Sequence, residues 1–171
     1  MAAKKFLRLV SGIFTEITGI VTSSGAANDG DIPALDATGR LDVSMMPVSI
    51  GPEVQVMLAS EALTGGDLVN IWLDSGVAKA RKADNSAAGK EANGFVLSAV
   101  ASGASATVYG PSQMNTAKSG LTIGATYWLG TTGGMVTSPP TGAGVVSQVV
   151  GKSVSATAMM FNPLHPITLA S

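Results

Sequence analysis

The sequence holds one histidine, a spaced set of aspartates, several glycine-rich turns and one basic run whose types could do chemistry. His165, the sole histidine, lies between Pro163-Leu164 and Pro166 near the C-terminus. A serine or threonine nucleophile needs its base held rigidly and oriented by a third group. No Gly-x-Ser-x-Gly elbow presents a serine here, so no catalytic residue is assigned and His165 reads as a solvated or docked residue. Asp29, Asp31, Asp36 and Asp42 are the acidic set closest to a hard-cation site, because calcium takes several oxygens from a short loop. Their spacing matches no ligand loop, and short acidic side chains beside glycine suit turns and caps equally well. No metal site is assigned on this basis.

Gly130-Thr131-Thr132-Gly133-Gly134 has the glycine content of a phosphate loop but lacks the Gly-Lys-Ser/Thr and the strand-then-helix context, so it reads as a hairpin turn. Lys79, Arg81 and Lys82 alternate with Ala78, Ala80 and Ala83, the pattern of a strand with one solvated face. No cofactor loop is present, and an enzyme is not expected. Among the aromatic residues, Tyr127 and Trp128 are adjacent, so a strand would turn one of them outward. An exposed aromatic serves a subunit interface or, alternatively, a sugar platform.

Composition limits the partners. Charged residues make up 12% of the 171, against about 25% in ordinary globular domains. A surface so poor in charge leaves apolar area facing water unless a partner covers it. A net charge of −1 gives no footprint for nucleic acid phosphates. There is no cysteine, hence no disulfide or thiolate chemistry. The basic and apolar start, Lys4-Lys5-Phe6-Leu7-Arg8-Leu9-Val10, is interrupted by Arg8 and later Glu16, against a secretory signal. No run approaches the roughly 20 apolar residues of a membrane helix. Neither nucleic acid nor membrane is an expected partner.

The elements that would position these residues fall into two regions, 1–52 and 53–171, with the break at Pro47 to Pro52. Phe6, Val10, Ile13, Phe14, Ile17, Ile20 and Val21 fit helical spacing, but the β-branched side chains from Val10 to Thr22 and two glycines favour extended structure. Turn signals then recur from Ser23 to Pro52. This first region is expected to be an extended arm without a core of its own, docking through Phe6, Leu7, Leu9, Ile13 and Phe14 and through Leu41, Met45 and Met46. After Glu53, short β runs alternate with Gly and Pro turns. Leu68 to Leu73, Asp74-Ser75-Gly76 and Val77 to Lys82 read as a hairpin. Ala83 to Asn93 is expected to be a helical turn or a mobile loop. The whole predicts a mainly β protein: a small antiparallel barrel or sandwich with an extended N-terminal arm and a short C-terminal tail.

Ser24-Gly25-Ala26-Ala27 leads into Ile32-Pro33-Ala34-Leu35-Asp36-Ala37-Thr38-Gly39-Arg40-Leu41-Asp42-Val43-Ser44-Met45-Met46-Pro47. This stretch resembles a segment of tailed-bacteriophage virion proteins. Gly66 to Trp72, Gly94 to Leu97, Ala106 to Tyr109 and Gly120 to Leu129 are similar to the β domain of head decoration (cement) and head-fibre proteins. The resemblance implies a homotrimer on the outer capsid surface of the virion, made in the host cytoplasm, that ties major capsid protein subunits together. It implies no catalytic residue, cofactor or metal. On that footing Phe6, Leu7, Leu9, Ile13, Phe14, Leu41, Met45, Met46, Tyr127 and Trp128 are the expected capsid or subunit interface. The alternative it leaves open is a head- or tail-fibre component that binds host-surface glycan through Tyr127 or Trp128.

Overall fold

The computed structural model describes residues 5–46 and 53–170. The chain divides into two compact units, Met1–Gly51 and Pro52–Ser171. The break expected at Pro47 to Pro52 lies outside the described residues.

The first unit is not the single extended arm expected from the sequence. Strands β1 (Lys5–Val10) and β2 (Ile13–Thr18) pair antiparallel in register from Lys5↔Thr18 to Val10↔Ile13. The two residues between them, Ser11 and Gly12, have φ of 50° and 83°. Positive φ at both central positions gives a turn whose twist matches that of the strands, so the chain reverses in two residues. The segment that follows returns along the hairpin's base: Ile20 donates to the Ile32 carbonyl at 3.0 Å and accepts from Ala34 N–H at 2.7 Å. Ala34 is buried there. Gly19 is small where it must be, because a Cβ at that position would lie 2.7 Å from the Phe6 ring and 2.9 Å from Ala34. Short 3-10 turns at Gly25–Asn28 and Val43–Met45 complete the unit.

The second unit is mainly β and contains a closed five-stranded barrel. Strands β3 (Val54–Ala59), β4 (Leu68–Asp74), β5 (Val77–Lys82), β6 (Gly94–Phe95) and β7 (Ser105–Tyr109) close in the order β3-β5-β4-β6-β7. Every junction is antiparallel except β3–β5, which is parallel. The expected β4–β5 hairpin forms, its Ser75-Gly76 turn again with φ positive at both residues. Ala59, Val69, Ala80, Val96, Ala106 and Val108 are buried in one cluster inside the barrel. A barrel of five strands has a narrow interior, which explains why alanine and valine fill it.

A second sheet covers one side of the barrel. Strands β8 (Gln113–Asn115), β9 (Thr126–Leu129), β10 (Met135–Val136), β12 (Val149–Ser153) and β13 (Met159–Phe161) run in the order β10-β9-β12-β13-β8. Its inner residues Tyr127, Leu129, Val150, Met159 and Phe161 pack on Leu68 and Phe95. Leu68 and Val69 are neighbours on β4 but belong to the two different clusters, as strand alternation requires. The C-terminal segment expected as a tail is a strand: β14 (Ile167–Thr168) pairs with β11 (Val146–Ser147). Ala83 to Asn93 forms no helix. It is pinned by Asp84 N–H to the Lys90 carbonyl at 2.9 Å and by Asn85 N–H to the Gly130 carbonyl at 3.1 Å.

Candidate interaction surfaces

Three of the four aspartates singled out for chemistry, Asp31, Asp36 and Asp42, are engaged in local structure. Asp36 accepts from Arg40 N–H at 3.0 Å and from the Thr38 hydroxyl and N–H at 2.7 and 2.8 Å. The Arg40 N–H first, and then the Thr38 hydroxyl, hold its carboxyl below the usual range. Asp42 accepts from Ser44 N–H at 2.9 Å, and hydrogen bonding from Ser44 likewise lowers it. Asn28 donates to Asp31 at 2.9 Å. These carboxylates organise turns, and among the described residues no three His, Cys, Asp or Glu side chains gather as for a metal. His165 is exposed.

The glycine-rich loop is the hairpin turn between β9 and β10, where Leu129 pairs with Met135. Its Thr132 N–H donates to Asp84 Oδ2 at 2.9 Å, and its Gly133 carbonyl accepts from Leu68 N–H at 2.9 Å. Burial pushes Asp84 up, and the bonds from Ser86 and Thr132 outweigh it, so its pKa falls below 3.8.

The basic run is not the solvated face its alternation suggested. Lys79 is paired with Asp74 at 2.8 Å and Lys82 with Asp67 at 3.4 Å. Arg81 lies over Trp72 with its guanidinium carbon 4.5 Å from the ring centroid, and donates to Asn70 and the Gly89 carbonyl at 2.9 and 2.6 Å. Trp72 Nε1 donates to Ser60 Oγ at 3.2 Å. One face of this indole is therefore occupied by a cation from the same barrel.

Among the described residues, two exposed apolar surfaces carry the residues expected to dock. On the hairpin, pairing puts Leu7, Leu9 and Phe14 on one face, and they are 75%, 60% and 75% exposed. Lys5 and Glu16 form an ion pair across the open end of the same face. The opposite face is different at its base: Phe6 and Ile17 are half-buried, and Arg8 donates to the Gly30 carbonyl at 3.0 Å. Ile13 stays exposed near the turn. Of the docking residues farther along, Leu41 and Met46 are exposed and Met45 is half-buried; Val43 is exposed between them.

The other surface is the outer face of the five-stranded sheet. Tyr127 points inward, buried, with its hydroxyl accepting from Thr122 N–H at 3.0 Å. Its place in the core withdraws it from any external contact and leaves Trp128, half-buried, on the outside. Trp128 pairs with Val136 on one side and Val149 on the other. Met160 pairs with Met114 across the β13–β8 ladder, and all three of Met114, Val136 and Met160 are exposed. A groove of about 240 Å³ runs beside them, lined by Thr126, Val149, Lys152, Met160, Asn162 and Leu164. The sequence reading missed the methionines, although β alternation carries the signal: Met159 is fully buried and Met160 is 44% exposed. No family model, curated protein or solved structure matches the chain.

Proposed function

We propose that this protein is a virion structural protein that decorates the outer surface of a phage capsid, its hairpin unit docking on major capsid protein and its barrel unit joining in a homotrimer. The observation that carries the reading is the bare hairpin face of Leu7, Leu9 and Phe14. A two-stranded hairpin is marginal on its own in water and needs packing on a further surface. Three large apolar side chains clustered on one face, with Glu16 opposite Leu7 neutralised by Lys5, suit anchors that fill pockets on another protein. Phe6, Ile13, Leu41, Met45 and Met46 extend the same unit's apolar content. The outer sheet face around Trp128 offers the trimer a largely apolar interface whose strands carry one charge, Lys152, on the central strand between Thr126 and Met160. Many copies on a lattice act together through avidity, so each contact need not be strong.

The test is binding to undecorated heads. Deleting residues 1–22, or making Leu7→Asp with Phe14→Asp, should abolish stoichiometric binding while the barrel unit stays trimeric by sedimentation. Full binding by both variants would overturn the reading. A glycan array with Trp128→Ala in parallel identifies the fibre alternative, since Arg81 over Trp72 and the burial of Tyr127 leave Trp128 as the platform to test.

A further inference from the structure

We propose that a gap in the barrel wall beside β7 is a strand-acceptor site, which binds an extended, uncharged, β-branched peptide segment of a partner protein by main-chain pairing. The inference does not rest on the capsid reading. On one side β7 pairs with β3 along its whole length, from Val54↔Tyr109 to Leu58↔Ser105. On the other it meets β6 through the single pair Phe95↔Tyr109. The phase of the β3–β7 ladder follows from its ends, where Gly110 N–H donates to the Glu53 carbonyl and Ala59 N–H to the Ala104 carbonyl, both at 2.9 Å. In an antiparallel pair, alternate residues turn their N–H and C=O to the partner. Ala106 and Val108 therefore bond to β3, and the main-chain groups of Ser105 and Thr107 point into the gap.

The chain that leaves β6 does not fill it. Val96 bonds with Gly66 and Asp67, at 2.7 and 3.1 Å, and Val100 exchanges two bonds of 2.9 Å with Leu63. Between that segment and β7 lies a cleft of about 230 Å³ whose lining includes Leu97, Ser98, Ala99, Ser105 and Thr107. Natural proteins protect an open strand edge with a charge, a proline or a bulge. This edge reads Ser-Ala-Thr-Val-Tyr and no residue lining the cleft is charged. It is held straight by Ala106 and Val108, both buried in the barrel. Strand addition takes affinity from such an edge and specificity from alternate side chains. Outward residues of an added strand would lie beside Ser105 and Thr107, and next to them beside Leu58 and Val56, so threonine and valine suit those positions.

The test uses the full chain and a capped, uncharged peptide of alternating threonine and valine, read by amide hydrogen exchange. Without peptide, Ser105 and Thr107 amides should exchange fast while those of Ala106 and Val108 are protected. With peptide, Ser105 and Thr107 should slow by about tenfold or more, the effect of one added hydrogen bond. Thr107→Pro removes the donor at an edge position that tolerates proline and should abolish the effect at Ser105, whereas Thr107→Val should keep it. Slow exchange of Thr107 in the unliganded protein, or no protection of β7 by the peptide, would overturn the proposal.

Discussion

Gln148 holds Ala92 from both sides: its Oε1 accepts from the Ala92 N–H at 2.8 Å, and its Nε2 donates to the Ala92 carbonyl at 3.1 Å. Gln148 is buried. A single side chain thus does for the loop before β6 what a neighbouring strand does elsewhere. Gln148→Leu keeps the volume and orphans two buried main-chain groups, at about 1–3 kcal/mol each where water cannot reach them. Urea unfolding should show the loss, and the Ala92 amide should exchange faster in the variant. An unchanged Ala92 amide would show that the pairing is not what holds the loop.

The barrel and the sheet that covers it are joined by three rings. Phe95 stacks on Tyr109 at 5.4 Å between centroids and meets Phe161 edge-on at 5.5 Å. Phe95→Ala should cost about 3–5 kcal/mol, the range for a buried aromatic ring replaced by a cavity. Phe95→Leu retains most of the burial and should lose about 0.5–1.5 kcal/mol of ring–ring interaction. Equal losses for the two variants would mean that the rings contribute area alone.

Two glycines with positive φ separate backbone strain from crowding. Gly76, in the β4–β5 turn, has φ of 84° and open space where a Cβ would go. Gly76→Ala should therefore cost about 1–2 kcal/mol, the left-handed penalty alone. Gly66 has φ of 92°, and a Cβ there would land on the Ala117 carbonyl oxygen. Asn115 also donates to the Gly66 carbonyl at 3.1 Å, locking the approach. Gly66→Ala should lower the melting temperature well beyond Gly76→Ala, and a similar fall in both would contradict the close packing.

In the hairpin unit, exposure predicts a contrast within three residues. Leu7→Thr or Phe14→Thr should leave stability within about 0.5 kcal/mol, as for surface substitutions generally. Phe6→Ala removes the ring that packs at Gly19 and Ala34 and should cost roughly 1–2 kcal/mol of lost burial. Limited proteolysis of the 5–46 region reports the difference. Greater protease sensitivity from the Leu7 and Phe14 changes would mean that their face is covered within the chain.

Where the β pattern was strong, the fold was legible in the residues. The β4–β5 hairpin and the Gly130 to Gly134 turn follow from alternation and turn chemistry. The β1–β2 hairpin was hidden because Ser11-Gly12 is a weaker turn signal than Asn-Gly, and both its strands have apolar residues on both faces. Tyr127 and Trp128 could be separated as inward and outward but not ordered, since either ring fits a core. Asn115 and Gln148 were invisible for a different reason: their roles depend on main-chain groups 49 and 56 residues away.

Lys118 gives a pH signature. Burial lowers its pKa below 10.5, with Asp67 opposing the shift. Between the lowered folded value and 10.5 the unfolded chain binds a proton that the folded chain does not, so stability rises with pH through that window. Below the window the folded state carries a poorly solvated ammonium. The Lys118 stem runs beside Gly66, its Cδ 3.4 Å from where a Cβ would stand there. Lys118→Met keeps that packing and removes the charge. The variant should be more stable than the parent at neutral pH, and the gap should close as pH approaches 10.5. Urea midpoints across that range measure it. A gap that stays constant with pH would place the effect in packing, and a variant less stable at neutral pH would show that the attraction to Asp67 outweighs the burial of Lys118.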